Sequence, residues 1–180
     1  MRVHKLDFHS PDRKAAFMPT HQESTLAFLD LCRERTLATL DAIEKLPNAQ
    51  EALGWRPGPG RAHIAWQLMH VGITEELFAT ERFKGTQPAR ADLVPRYKGG
   101  STPDDQIPTA AEIRQVLAES REHLRATIQG LSAADLETVP PALAQRNLSI
   151  GNALKIIVWH EAHHQGQAHI TLNLYKASHA

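Results

Sequence analysis

Residues 149–167 read Ser149-Ile150-Gly151-Asn152-Ala153-Leu154-Lys155-Ile156-Ile157-Val158-Trp159-His160-Glu161-Ala162-His163-His164-Gln165-Gly166-Gln167. An α-helix advances ~100° per residue, so His160 and His164 stand about 40° apart on one face, one turn above the other. Ser149 is a suitable N-cap, and the helical pattern continues to about Lys176. Counted from His160, the same side carries Ala153, Ile156, Ile157, Gln167, Thr171 and Leu174, which places both imidazoles on an apolar face. Burying two adjacent imidazoles without partners is costly. Metal coordination removes that cost, and so do paired hydrogen bonds.

A second helical pattern, residues 62–83, brings Trp66, Ile73, Leu77 and Phe78 to one side and sets His70 on a face shared with His63, Trp66, Ile73, Thr74, Leu77 and Glu81. Alone, His70 reads as a satisfied core histidine. With a His-x3-His face on another helix it becomes the natural third ligand, so His70, His160 and His164 form the candidate metal set. Three neutral imidazoles leave an open position for water or substrate. They suit divalent zinc, nickel or iron, with copper also compatible.

Two further helical patterns complete the chain. Leu26, Leu29, Cys32, Thr36, Leu37, Leu40 and Ile43 recur at three- and four-residue spacing until Pro47-Asn48 stops them. Thr109-Ala110-Ala111-Glu112 has capping-box spacing and opens the other, through Ile113, Val116, Leu117, His123, Leu124 and Ile128 to Gly130. Gly54-Trp55-Arg56-Pro57-Gly58-Pro59-Gly60 is a connection, Ser132 to Asp135 a turn, and Pro140-Pro141 a break. Residues 84–108, with four prolines, three glycines and seven charges, form the longest irregular segment, either the wall of a site or a mobile connection. No strand alternation or repeat is present. The expected fold is all-α, a four-helix bundle over residues 20–178 preceded by an arm at 1–19, with one long connection compatible with a crossover.

Composition narrows the partners. The 180 residues carry 20 Lys+Arg against 20 Asp+Glu, and this balance gives no electrostatic reason to expect nucleic acid or an anionic membrane. A lone Cys32 excludes an internal disulfide or a cysteine-based zinc knuckle, and reads as a small core residue. No signal-peptide pattern or long apolar stretch is present, so the expected location is cytoplasmic. The 11 histidines stand out against this background.

His160-Glu161-Ala162-His163-His164 also satisfies H-E-x-x-H, the zinc-protease signature. Its context is missing. Gly166 and His169 each fall one position early for the extended motif, and no Asp or Glu follows Glu161. Glu161 reads as an exposed helix carboxylate, with contact to metal-bound water as the alternative. His163 reads as a neighbour of the site and His169 as solvated. His63 either lines the site or starts its helix, and His4, His9, His21, His123 and His179 lack ligand-like spacing.

Ala65-Trp66-Gln67-Leu68-Met69-His70, together with Ser149 to Leu154 running into His160-Glu161-Ala162-His163-His164-Gln165-Gly166-Gln167, resembles the DinB superfamily. These are metal-binding four-helix bundles that include YfiT-like proteins, bacillithiol transferases and mycothiol-dependent isomerases. The resemblance spans about residues 20–176, and the family's ligand pattern falls on His70, His160 and His164. It implies a frequent homodimer and a low-molecular-weight thiol cosubstrate, hence a metal-dependent S-transferase acting on small electrophiles. Its alternatives are a metal-dependent hydrolase and a non-catalytic metal-binding stress-response protein. No clear thiol-binding basic pocket is visible, only Arg61, Arg82, Arg90, Arg96 and Arg146 as candidate partners of a cosubstrate carboxylate.

Overall fold

The computed structural model describes residues 19–179, and the arm expected at 1–19 lies almost wholly outside them. Four long helices dominate: α1 (His21–Glu44), α3 (Ile64–Leu77), α5 (Ala110–Gln129) and α7 (Ile150–Ser178). Short helices α2 (Ala49–Gly54), α4 (Val94–Tyr97) and α6 (Ala133–Glu137), and a 3-10 turn Pro141–Arg146, lie in the connections. Among the described residues there is no strand, and no helix is long and apolar enough to cross a membrane. The helix starts follow local chemistry. Thr20 with Glu23 and Thr109 with Glu112 form capping boxes, and Ser149 accepts from the backbone N–H of Asn152.

Side-chain pairs give the topology. Cys32, Thr36 and Thr39 meet Val158, Glu161 and Gln165 in ascending order, so α1 and α7 run parallel. Gly72 lies against Val116, Glu75 pairs with Arg121 and Ala79 with Thr127, so α3 and α5 are parallel too. His70 meets His160 while Gln67 meets His164, which makes α3 and α7 antiparallel. The bundle is therefore up-down-down-up. Two consecutive parallel helices need a connection as long as the bundle, and residues 83–109 are that crossover. It is a wall that runs back along α3, carrying the short helix α4.

Because α5, α7 and the crossover surround it, α3 is buried at every position from Ile64 to Leu77. The one-sided face expected for this helix is thus replaced by burial all round. Gly72 permits the close approach of α5: a Cβ there would stand 2.9 Å from Val116 Cγ1. After Leu77 the helix widens into a π-helical turn, Phe78–Arg82, which lays the Arg82 guanidinium 4.2 Å over the Phe78 ring. Such turns shift the register of the side chains that follow.

One charged residue from each long helix meets at the centre of the bundle. Arg33 donates to Glu75 Oε2 at 2.9 Å and to Glu161 Oε1 at 2.7 Å. Arg121 donates to Glu75 Oε1 at 2.5 Å and also to Glu161. The remaining donors find backbone: Arg33 reaches the Leu117 carbonyl, and Arg121 the Leu29 carbonyl at 2.6 Å. Thr36 adds a hydroxyl to Glu161 at 2.9 Å. Burial would raise the Glu75 carboxyl, but the two guanidiniums outweigh it and hold it below the usual range.

This arrangement corrects the reading of Glu161 as an exposed carboxylate, since it is 1% exposed and committed to two arginines. Ile156 and Leu174, expected on the apolar face of His160, are instead 39% and 46% exposed.

Candidate metal centre

The structure brings His70, His160 and His164 together, with one ring nitrogen from each within 4.8 Å of the others. His70 is buried, and His160 and His164 are half-buried. His70 Nδ1 donates to the Tyr97 carbonyl at 2.6 Å, and His164 Nδ1 donates to Gln67 Oε1. A nitrogen that donates carries the proton, so in both rings Nε2 keeps its lone pair. His70 Nε2 and His160 Nε2 lie 3.0 Å apart. Two ring nitrogens so close need something positive between them, a shared proton or a metal ion. Ligation at ~2.1 Å places adjacent imidazole nitrogens about 3.0–3.4 Å apart, so the donor set fits a cation.

Electrostatics agree. Burial, with the charges of His70 and Arg82, pushes His160 down to about 3. Burial and the neighbouring His160 and His70 push His164 to about 3. His70 is lowered by burial against the opposing Tyr97 hydrogen bond. All three are therefore neutral at pH 7, the state in which imidazole ligates.

The surrounding side chains hold these rings in place. Trp66 stacks on His70 with ring centroids 4.6 Å apart. Gln67 Nε2 donates to Gln167 Oε1 at 2.9 Å, whose own amide meets His163 Nε2 at 2.5 Å, so a relay joins His164 to His163. His163 also stacks on exposed Trp159. His63 turns out to start α3: its Nδ1 accepts from the Trp66 N–H at 3.0 Å and its Nε2 donates to the Asp104 carbonyl. His123 pairs with Glu76, and His169 is exposed. Cys32 is half-buried, and burial raises its thiol pKa.

Gln67, Gln167 and Tyr97 are the partners that residue spacing did not single out. The glutamines sit one turn from ligand positions within the quoted blocks, a usable signal. Tyr97 contributes only a backbone carbonyl, which has no side-chain signature.

A cleft of about 410 Å³ opens beside His164, lined by Trp66, Gln67, Gln167 and Thr171, with Arg61 at its rim. Of the five arginines considered above, Arg96 is taken by Asp104, and Arg90 by Glu119 and Asp92. Arg61, Arg82 and Arg146 have no carboxylate partner among the described residues. Arg82 is close enough for its charge to lower the proton affinity of His70 and His160.

No curated protein matches this chain significantly. A family model for the DinB superfamily matches residues 16–168, which include all three histidines, and the chain belongs to that superfamily.

Proposed function

We propose that this protein is a metal-dependent enzyme in which His70, His160 and His164 hold a divalent ion and a small thiol is transferred to an electrophile. The observation that carries the reading is the convergence of three neutral imidazoles, two of them oriented by hydrogen bonds, beside an open cleft. A bound divalent ion would supply Lewis acidity at its open position, favouring the thiolate form of the cosubstrate.

The chain's own residues have separate tasks. Tyr97 and Gln67 fix the imidazole tautomers, and Trp66 closes one side of the site against water. Arg61 at the rim would meet a carboxylate on the cosubstrate, and Arg82, which lies over Phe78 and has no carboxylate partner among the described residues, is a second candidate near the histidines. Cys32, with its raised pKa, takes no part as a nucleophile.

The test is conjugation of monobromobimane to several low-molecular-weight thiols. A C–S bond forms, the C–Br bond breaks, bromide leaves, and the thiol proton passes to solvent. Metal-loaded protein accelerates this reaction with at least one thiol relative to the chelated protein. Equal rates with every thiol remove the transferase reading, leaving a metal-binding bundle or a hydrolase.

The partner surface we propose is a second copy of this chain. Parallel neighbours α1 and α7 expose Phe28 (59%), Trp159 (60%) and Ile170 (54%), apolar groups that a homodimer would cover. Sedimentation at increasing concentration gives a dimer mass, reduced to monomer by Trp159→Glu; a wild-type monomer at every concentration sinks this reading.

A further inference from the structure

Gln67 is 6% exposed, and both ends of its amide are engaged. Its Oε1 accepts from His164 Nδ1, and its Nε2 donates to Gln167 Oε1 at 2.9 Å. Gln167 in turn points its Nε2 at His163 Nε2, 2.5 Å away. Two amides therefore stand in series between an imidazole of the three-histidine set and one outside it. On α7, Gln167 lies four residues after His163 and three after His164, and its amide reaches across to the antiparallel α3.

Such a series has a direction. An amide offers an acceptor at one end and donors at the other, so turning Gln67 over would set its Nε2 against His164 Nδ1. Gln67 cannot turn alone, because its Oε1 would then face Gln167 Oε1. Only two arrangements keep every hydrogen bond: both amides forward, or both reversed. Forward, His164 carries its proton on Nδ1 and keeps the lone pair of Nε2. Reversed, Nδ1 has to accept, the proton sits on Nε2, and the ring has no lone pair left to offer toward His70 and His160.

The forward arrangement is the one present. Burial leaves Gln67 little access to water that could replace a lost partner, so an acceptor at position 167 is what holds its amide in this sense. At the outer end the His163 ring stacks on Trp159, with centroids 4.9 Å apart, and offers Nε2 to the Gln167 donor.

We propose that Gln167 is a positioning residue of the metal centre. By presenting an acceptor to Gln67 Nε2, it fixes the Gln67 amide and, through it, the tautomer in which His164 can ligate. His163 is the outer anchor, keeping the Gln167 Oε1 turned toward α3. The inference rests on His164 being a ligand and not on the transfer reaction.

The test compares the full-length wild type with Gln167→Glu and Gln167→Leu. Glutamate has the same length and keeps an acceptor, whereas leucine fills similar space without one. In metal-free, 15N-labelled protein, long-range 1H–15N correlations of the imidazole rings place the His164 proton on Nδ1 in the wild type and in Gln167→Glu. In Gln167→Leu that proton appears on Nε2 in part or entirely. In Gln167→Glu the His163 proton moves to Nε2, because a carboxylate only accepts. Zinc titrated against a chromophoric chelator binds Gln167→Leu about tenfold more weakly than wild type, the lower end of the range for a group behind a ligand, and Gln167→Glu no more weakly. A wild-type His164 proton on Nε2, one tautomer shared by all three proteins, or equal weakening of zinc by both substitutions would overturn the proposal. The wild-type spectrum alone can do so, even where a variant fails to fold. Failure of the transferase reading leaves both readouts unchanged.

Discussion

Protein carrying His160→Ala and His164→Ala together is expected to purify without metal, and the wild type to carry about one divalent ion per three-histidine set. Changing a group behind a ligand typically costs about 10–100-fold in metal affinity. Removing two of three ligands goes well beyond that range. Elemental analysis of both proteins decides the matter, and stoichiometric metal in the double variant would sink the ligand assignment.

The pH dependence gives a second arm. In the chelated protein His160 and His164 have folded-state pKa values near 3, below the ~6.5 of an unfolded chain. Between those values the unfolded state binds more protons, so stability falls as pH drops from about 6.5 toward 3. The double variant lacks both groups, so its unfolding midpoint changes less over that window. Identical pH profiles for the two chelated proteins would contradict the buried, neutral state of these rings.

The second large effect falls at the bundle centre. Glu161→Ala leaves Arg33 and Arg121 facing Glu75 alone, with one buried positive charge uncompensated. Breaking a buried pair from one side costs about 3–5 kcal/mol. For a domain of this size that lowers the melting temperature by roughly 6–20 °C. Replacing all four charged residues by Leu and Met is expected to be neutral or stabilising by about 1–4 kcal/mol, since it also removes the desolvation cost. Denaturant unfolding measures both, and a Glu161→Ala cost below about 1 kcal/mol would show that water reaches the cluster.

The three histidines were legible because each sits at helical spacing among apolar residues, and only helix geometry was needed to align them. The four-charge cluster was not, although the signal was present. Arg33 lies between Leu29 and Thr36, and Arg121 between Leu117 and Leu124, both within apolar stripes. Reading such charges one helix at a time assigns them to solvent. Only the pairing of opposite signs across four helices explains their burial. The direction of the helices was hidden for a different reason, since periodicity is the same whether a neighbour runs parallel or antiparallel. The length of residues 84–108 was the one clue, and it marked the crossover that supplies the Tyr97 carbonyl.

The pairing of the first long helix with the last has a consequence for synthesis. Cys32–Val158, Thr36–Glu161 and Thr39–Gln165 join positions 125 to 126 residues apart. As the chain leaves the ribosome, α1, α3 and α5 can associate, but Glu161, His160 and His164 arrive only with α7. Until then Arg33 and Arg121 have Glu75 as their sole carboxylate in the cluster, and His70 has no second imidazole. Contacts of such long sequence separation form late and leave partly folded chains open to misassociation. The same helix thus completes the core and the three-histidine set in one event, so the candidate site cannot assemble before α7 has been made.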